Sequence, residues 1–371
     1  MRLLRVRSAA RTNPLGIAPW GDPVGDVRVL GLPLVERQER AAHALGLRFE
    51  GEVDEAAGGD ALYWDDDIDV SVAALREFLK GGEGRMAMVE RPSRKGALEV
   101  EPAGPAWEGE ATRLIGLRRG ASEAPVVVRP RGISGVTRTP GPFRSDVPWF
   151  VTARTATTVR HWVHVLRANL SAIAPEIDAQ VLRRPWRPIW AWMRRGGARW
   201  TSFGKRCRIH PTARLEGCVL GDGVEVGAFS VLRGCIVGDG ARIEDHVTAK
   251  GSVVEPGAHL GCYCMFNLSV LGACSSISHI GAQASIVGRD TFIATFATLQ
   301  DLNLAGNIRV PVGGTLIDTG SPFLGCAVGH RVRMGAHVSV APGRAIPNDV
   351  TLVGGAVLTR PPDGPGLYPV T

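Results

Sequence analysis

The chain has 371 residues, enough for two or three domains with separate cores. Its 44% apolar and 21% charged residues describe a folded globular protein and exclude a disordered or fibrous one. The net charge of +7 is almost all arginine, with lysine only at Lys80, Lys95, Lys205 and Lys250, and is read as base composition rather than as a mark of function.

The opening MRLLRVRSAARTNPLG has arginines but no apolar run, so it does not read as a signal peptide. Nowhere does the chain approach the roughly 18 uninterrupted apolar residues of a membrane span. From Val27, VRVLGLPLVERQERAAHALGLRFEG predicts a strand or turn, then a helix from about Leu34 to Leu45 that stops at Gly46. DALYW then reads as a strand, and SVAALREFL as a helix capped by Ser71. This alternation predicts a small mixed sheet. Between them lies the run Asp65, Asp66, Asp67, with Asp69 close behind, a place where carboxylates could hold a metal. The Pro-, Gly- and Arg-rich tract from Arg91 to Arg144 predicts only short strands.

TATTVRHWVHVLRANLSAI, Thr155 to Ile173, places Val159, Trp162, Val163, Leu166, Leu170 and Ile173 on one helical face, as a joining helix would. Arg183 to Leu215 follows with ten Lys and Arg, no acid, and Trp186, Trp190, Trp192 and Trp200. Three readings stay open. The tryptophans could cap the open end of a solenoid, which is preferred. Residues 183–206 could touch an anionic membrane surface, or the arginines could hold a phosphorylated ligand. No nucleic-acid-binding module is visible, so nucleic acid is disfavoured as a partner.

The second half holds most of the 47 glycines and all seven cysteines: Cys207, Cys218, Cys235, Cys262, Cys264, Cys274 and Cys326. With no CxxC spacing, the cysteines read as reduced thiols in a cytoplasmic protein. LEGCVLGDGVEV from Leu215 matches LRGCIVGDGARI from Leu232 position for position. A finer period of six runs through Val328, Met334, Val340, Ile346, Leu352 and Leu358. Small or β-branched residues recur four positions after most such aliphatics: Val224, Ser230, Val332, Val338, Val350 and Ala356. Helices repeat at 3.6 and half-buried strands at two, so neither explains a six. Six residues suit one short strand plus a turn, and three such units close a triangular coil of about 18 residues. The pattern resembles the hexapeptide-repeat family of left-handed parallel β-helices. It covers roughly Cys207 to Thr359, about eight coils, and is broken by a long loop from Leu299 to Phe323. In hexapeptide-repeat transferases such a loop helps build a substrate site against a neighbouring subunit, so the resemblance implies a homotrimer.

The first half carries a second resemblance. LGLPLVERQERAAHALGL is similar to the GKPLIEH-helix-Gly segment of sugar-1-phosphate nucleotidyltransferases, and ALYWDDDIDVSVAALREFL to their strand ending in a metal-binding Asp. The order of the two halves resembles the bifunctional N-acetylglucosamine-1-phosphate uridylyltransferases. By this likeness Asp65, Asp66 and Asp67 would hold Mg²⁺ against a nucleotide phosphate. The chain departs from the family at the phosphate-cradling loop: SAARTNPLGIAPWGDPVGD has no Gly-x-Gly, and Arg11 or Arg28 would have to supply the positive charge. Where those enzymes carry HLSYLGD, this chain has NLSVLGA, with Asn267 at the place of the acetyl-transfer histidine. Asn cannot accept a proton near neutral pH. QDLNLAG, with Asp301 and Asn303, loosely matches the family's NYDG loop, and with Asn267 is expected to contact substrate.

Acyltransferases of this fold commonly use a histidine as general base. The β-helix half offers His210, His246, His259, His279, His330 and His337. His210, in IHPTA, reads as structural, and His330 and His337 as solvent-facing. His279 is the preferred catalytic candidate. The expectation is an α/β nucleotidyltransferase-like domain (1–150), a basic helical linker (151–206), a left-handed β-helix (207–360) and a tail (361–371). Its function reads first as a divergent sugar-phosphate nucleotidyltransferase. The alternatives are an inactive trimeric scaffold and an acyl-CoA-dependent acyltransferase.

Overall fold

The computed structural model describes residues 2–7, 16–56, 60–89, 103–107, 110–138, 146–182, 198–279 and 281–368. Arg11, the tract 90–102 and the segment 183–197, with Trp186, Trp190 and Trp192, lie outside the described residues. The chain forms two compact units, one of residues 1–16 and 22–175, the other of 17–21 and 176–371.

The first unit is built on a seven-stranded mixed sheet. Along its main path the strands run Pro125–Val128, Gly84–Val89, Glu110–Arg119, Ala61–Asp65, Arg2–Val6 and Phe49–Val53, and Ala103–Trp107 pairs beside Glu110–Arg119. Strand periodicity sorts the side chains. Leu62 and Trp64 enter a core with Leu75 and Phe78, while Ala61 and Tyr63 join Leu4 and Val6 on the opposite face. Helix α1 spans Leu34–His43 and α2 Val72–Leu79. Ser71 Oγ accepts from Ala74 N at 3.3 Å, the expected cap of α2. The helix predicted from Thr155 begins later: Ala156–Thr158 is a strand paired antiparallel to Ile68–Val70, and α3 spans Trp162–Ile177. The β-branched Thr157 and Thr158 favour this edge pairing over a first helical turn.

The second unit is a left-handed parallel β-helix. Its three faces are ladders of nine, eight and nine parallel strands. Face I runs from Ala198–Arg199 to Val357–Leu358, face II from Ser202–Phe203 to Ala345–Ile346, and face III from Arg208–Ile209 to Gly366–Tyr368. The ladders thus reach beyond 207–360 at both ends. The six-spaced aliphatics point inward as one continuous core, including Leu220, Val226, Leu232, Val237, Ile243, Val254, Leu260 and Leu271. Val224, Ser230, Val332, Val338, Val350 and Ala356 are all buried, as their repeat positions require.

Side chains lock the coils into register. Asp239 Oδ1 accepts from Asp222 N at 2.7 Å, one coil of seventeen residues away, which explains the repeated GDG. Inside, Ser252, Ser269 and Ser285 form a column in which each hydroxyl accepts from the next residue's backbone N–H. The long loop leaves the prism between faces I and II as a hairpin of Arg309–Val312 and Thr315–Asp318, anchored by buried Ile308 and Val310. A short strap, Ile17–Gly21, belongs to this unit. Trp20 Nε1 donates to Val328 O at 2.9 Å, and Asn348 Nδ2 donates to Trp20 O at 2.6 Å. The strap overturns one expectation: His330, read as solvent-facing, is 6% exposed and stacks on Trp20.

Candidate functional site

On face III the inward residue of each two-residue strand is aliphatic, which leaves its neighbour pointing outward. One outward column reads Glu225, Arg242, His259, Ser276, Phe292. His259 and Ser276 are register partners, so the ladder itself sets His259 Nδ1 2.9 Å from Ser276 Oγ. On its other side His259 Nε2 meets Glu244 Oε1 at 2.8 Å. Glu244 lies in the neighbouring outward column, where the next coil has Gly261. The carboxylate also accepts from Cys262 N at 3.1 Å and Cys262 Sγ at 3.0 Å.

These contacts define the electrostatics. Hydrogen bonds from Cys262 and then His259 hold the Glu244 carboxyl below its usual range, so it is a carboxylate at neutral pH. The same carboxylate pushes the Cys262 thiol up. An ionised carboxylate can only accept, so Nε2 carries the imidazole proton. In the neutral imidazole Nδ1 is then the lone-pair nitrogen, and Ser276 Oγ–H donates to it, a tautomer assigned from the network. The result is a carboxylate–imidazole–hydroxyl relay, half-exposed on the outside of the coil. A groove of about 520 Å³ opens beside it, lined by Arg208, Glu225, Arg242, Glu244, Asp245 and Cys262 among others. Glu225 pairs with both Arg208 and Arg242 along its wall.

The preferred histidine of the sequence, His279, sits elsewhere. It is exposed at one end of a ring stack, Phe229–His246–Tyr263–His279, with centroid spacings of 5.2, 4.8 and 6.3 Å. Among the described residues no carboxylate or hydroxyl is hydrogen-bonded to it. Two of the three residues expected to contact substrate come together: Asn267 Nδ2 faces Gln283 Oε1 at 3.5 Å, and Gln283 Nε2 donates to Asp301 Oδ2 at 2.7 Å. Asn303 is used within its own loop, accepting from Ala305 N at 3.1 Å. The sequence names His259 among six histidines with nothing local to single it out. Its signal was the coil length: the residue one coil on is a serine.

The triple aspartate is placed at the turn between Ala61–Asp65 and Ile68–Val70. Asp67, fully buried, accepts from Arg160 Nε at 2.7 Å, and Asp69 accepts from Arg37 Nε at 2.8 Å. Burial first, then the charges of Asp67 and Asp66, push the Asp65 carboxyl up to about 7 against the pull of Arg85 and Arg160. Among the described residues no group of three or more His, Cys, Asp or Glu converges as a metal site. Asp65, Asp66 and Asp67 thus do not form the convergent set of charged oxygens that Mg²⁺ takes, and Asp67 is paired with Arg160 instead.

The fold is an α/β unit followed by a left-handed parallel β-helix. No protein-family model matches the chain, and no curated protein does. Solved structures align with 46% of it. The polysialic acid O-acetyltransferase OatWY is 17% identical over 84% of its own length, with a TM-score of 0.20. The polySia-specific acetyltransferase NeuO is 12% identical over 76%, with a TM-score of 0.19. A variant of GDP-perosamine N-acetyltransferase from Caulobacter crescentus, in complex with CoA and GDP-perosamine, is 17% identical over 52%, with a TM-score of 0.16. Likeness at this level carries no weight for what this chain does. Among the described residues no helix is long and apolar enough to cross a membrane.

Proposed function

We propose that the protein is an acyltransferase that moves an acyl group from a CoA thioester to a hydroxyl or amine acceptor. The observation that supports this is the contact of His259 with Glu244 at 2.8 Å and Ser276 at 2.9 Å. A surface imidazole with one nitrogen held by a carboxylate and the other against a hydroxyl is arranged to remove a proton from an attacking group. His259 is the base in this reading, in place of His279. Glu244 positions it by fixing the tautomer. Asn267 and Asp301, joined through Gln283, are the substrate contacts in this proposal, and a homotrimer is its assembly.

Nucleotidyl transfer with Mg²⁺ at Asp65, Asp66 and Asp67 has less support, because Arg160 pairs with Asp67, and Arg37 with the neighbouring Asp69. The experiment is thiol release from acetyl-, succinyl- and hexanoyl-CoA with a panel of sugar and amine acceptors. His259→Ala is expected to lower the rate about 10²–10⁴-fold, the usual contribution of a general base. No release from any donor, or full activity in His259→Ala, would overturn the reading. Stabilisation by a nucleotide with Mg²⁺ would favour the rival, and silence with all ligands the scaffold.

A further inference from the structure

Five buried serines of the β-helix share one structural role. Ser230, Ser252, Ser269, Ser275 and Ser285 point inward at the corners, and each donates to a backbone carbonyl at 2.6–3.0 Å. Those hydroxyls replace missing coil-to-coil hydrogen bonds, and their protons are committed. Ser276 differs. It lies on the outward column, half-exposed, and among the described residues its hydroxyl has one partner, the lone-pair nitrogen of His259. The next residue of the column is Phe292, 43% exposed, so the hydroxyl stands at the surface between an imidazole and an apolar ring. A base in direct contact with a hydroxyl, itself oriented by a third group, is the arrangement that activates a serine nucleophile.

Resting on the acyltransferase reading, we propose that Ser276 is itself the first acyl acceptor, so that transfer runs through an acyl-Ser276 enzyme. In the first half, Oγ–H gives its proton to His259 Nδ1 and Oγ bonds to the thioester carbonyl carbon. The C–S bond then breaks, and the leaving sulfur takes the proton from Nδ1 as free CoA thiol. In the second half, the acceptor hydroxyl gives its proton to Nδ1 and its oxygen bonds to the same carbon. The Oγ–C bond breaks, and Oγ recovers its proton from His259. No oxidant or further co-reactant is required. Glu244 keeps its carboxylate on Nε2 throughout.

The test uses the full chain and acetyl-CoA without acceptor, followed by acid quench, digestion and peptide mass spectrometry. One acetyl ester is expected on the peptide carrying Ser276, formed with one equivalent of CoA thiol in a burst. The label should be absent in Ser276→Ala and His259→Ala, and turnover with acceptor should fall about 100-fold or more in Ser276→Ala. Fragmentation of that peptide separates an ester at Ser276 from an acyl-thiol at Cys262, Cys264 or Cys274, and should place the label at Ser276. The labelling of the unsubstituted protein stands even where a variant fails to fold. Turnover with acceptor but no label on Ser276, or Ser276→Ala at full rate, overturns the acyl-serine while leaving His259 as the base. Absence of any CoA turnover overturns both.

Discussion

Cys262 donates twice to one oxygen of Glu244, through its backbone N–H at 3.1 Å and its thiol at 3.0 Å. The thiol is therefore held protonated by the carboxylate that orients His259. Removing that carboxylate removes both the acceptor and the negative charge, which shifts the thiol towards thiolate. Site-resolved alkylation by iodoacetamide near pH 8 is expected to run several-fold faster at Cys262 in Glu244→Ala than in the unsubstituted protein. An unchanged rate would mean that the thiol is not bonded to Glu244 in solution.

Glu244→Gln keeps the shape and loses the charge. A neutral amide can donate to Nε2 as well as accept from it, so the tautomer with a free Nδ1 is no longer enforced. The expected outcome is a fall in kcat of about 10–100-fold, the scale of losing a group that orients a functional histidine. KM should hardly move, and Glu244→Asp should restore part of the rate. A change confined to KM would show instead that Glu244 acts in binding, as its place on the groove wall would allow.

Asp65 gives a pH signature. Its folded carboxyl titrates at about 7 against 3.8 in the unfolded chain. The folded state thus binds this proton more tightly, and stability falls as pH rises from about 4 to about 7. The loss is on the order of 4 kcal/mol and is complete above the folded value. Asp65→Asn removes the titration. Its melting temperature relative to the unsubstituted protein should rise with pH across that window and level off beyond it. A difference independent of pH between 4 and 8 would show the carboxyl to be ordinary.

The carboxyl of Asp65 lies directly over Gly116, where a Cβ would fall 1.9 Å from Oδ2 and 2.7 Å from Ile68 Cδ1. Gly116→Ala should destabilise the first unit by about 1–3 kcal/mol, the usual cost of overpacking. Combining it with Asp65→Ala should recover part of that loss in urea unfolding, because the two sites are in contact. Strict additivity would place the strain elsewhere.

Local signals were legible where one element carried them. Leu34 to Gly46 announced α1 and its stop, and Ser71 announced the cap of α2. The sequence predicts a helix from Thr155 because Val159 lies on the apolar face of Trp162, Leu166 and Ile173, yet Thr157 and Thr158 find strand partners in Asp69 and Ile68. The triple aspartate looked like a metal site because its partner Arg160 lies 93 residues from Asp67 in sequence, too far for any local pattern to report.

By itself the sequence determined the β-helix, because aliphatics spaced by six have only one way to share a core, and that way is stacked coils. It also determined that His259 and Ser276 would share an outward column once the coil length was known, since seventeen residues bring one above the other. Only the tertiary structure decided that the imidazole is flanked by a carboxylate. Glu244 comes from the neighbouring column and meets His259 diagonally, a contact that depends on side-chain direction and not on spacing. The same holds for Asp65, Asp66 and Asp67: their order in the chain is local, but whether a carboxylate meets a metal or an arginine is settled by what the fold packs against it.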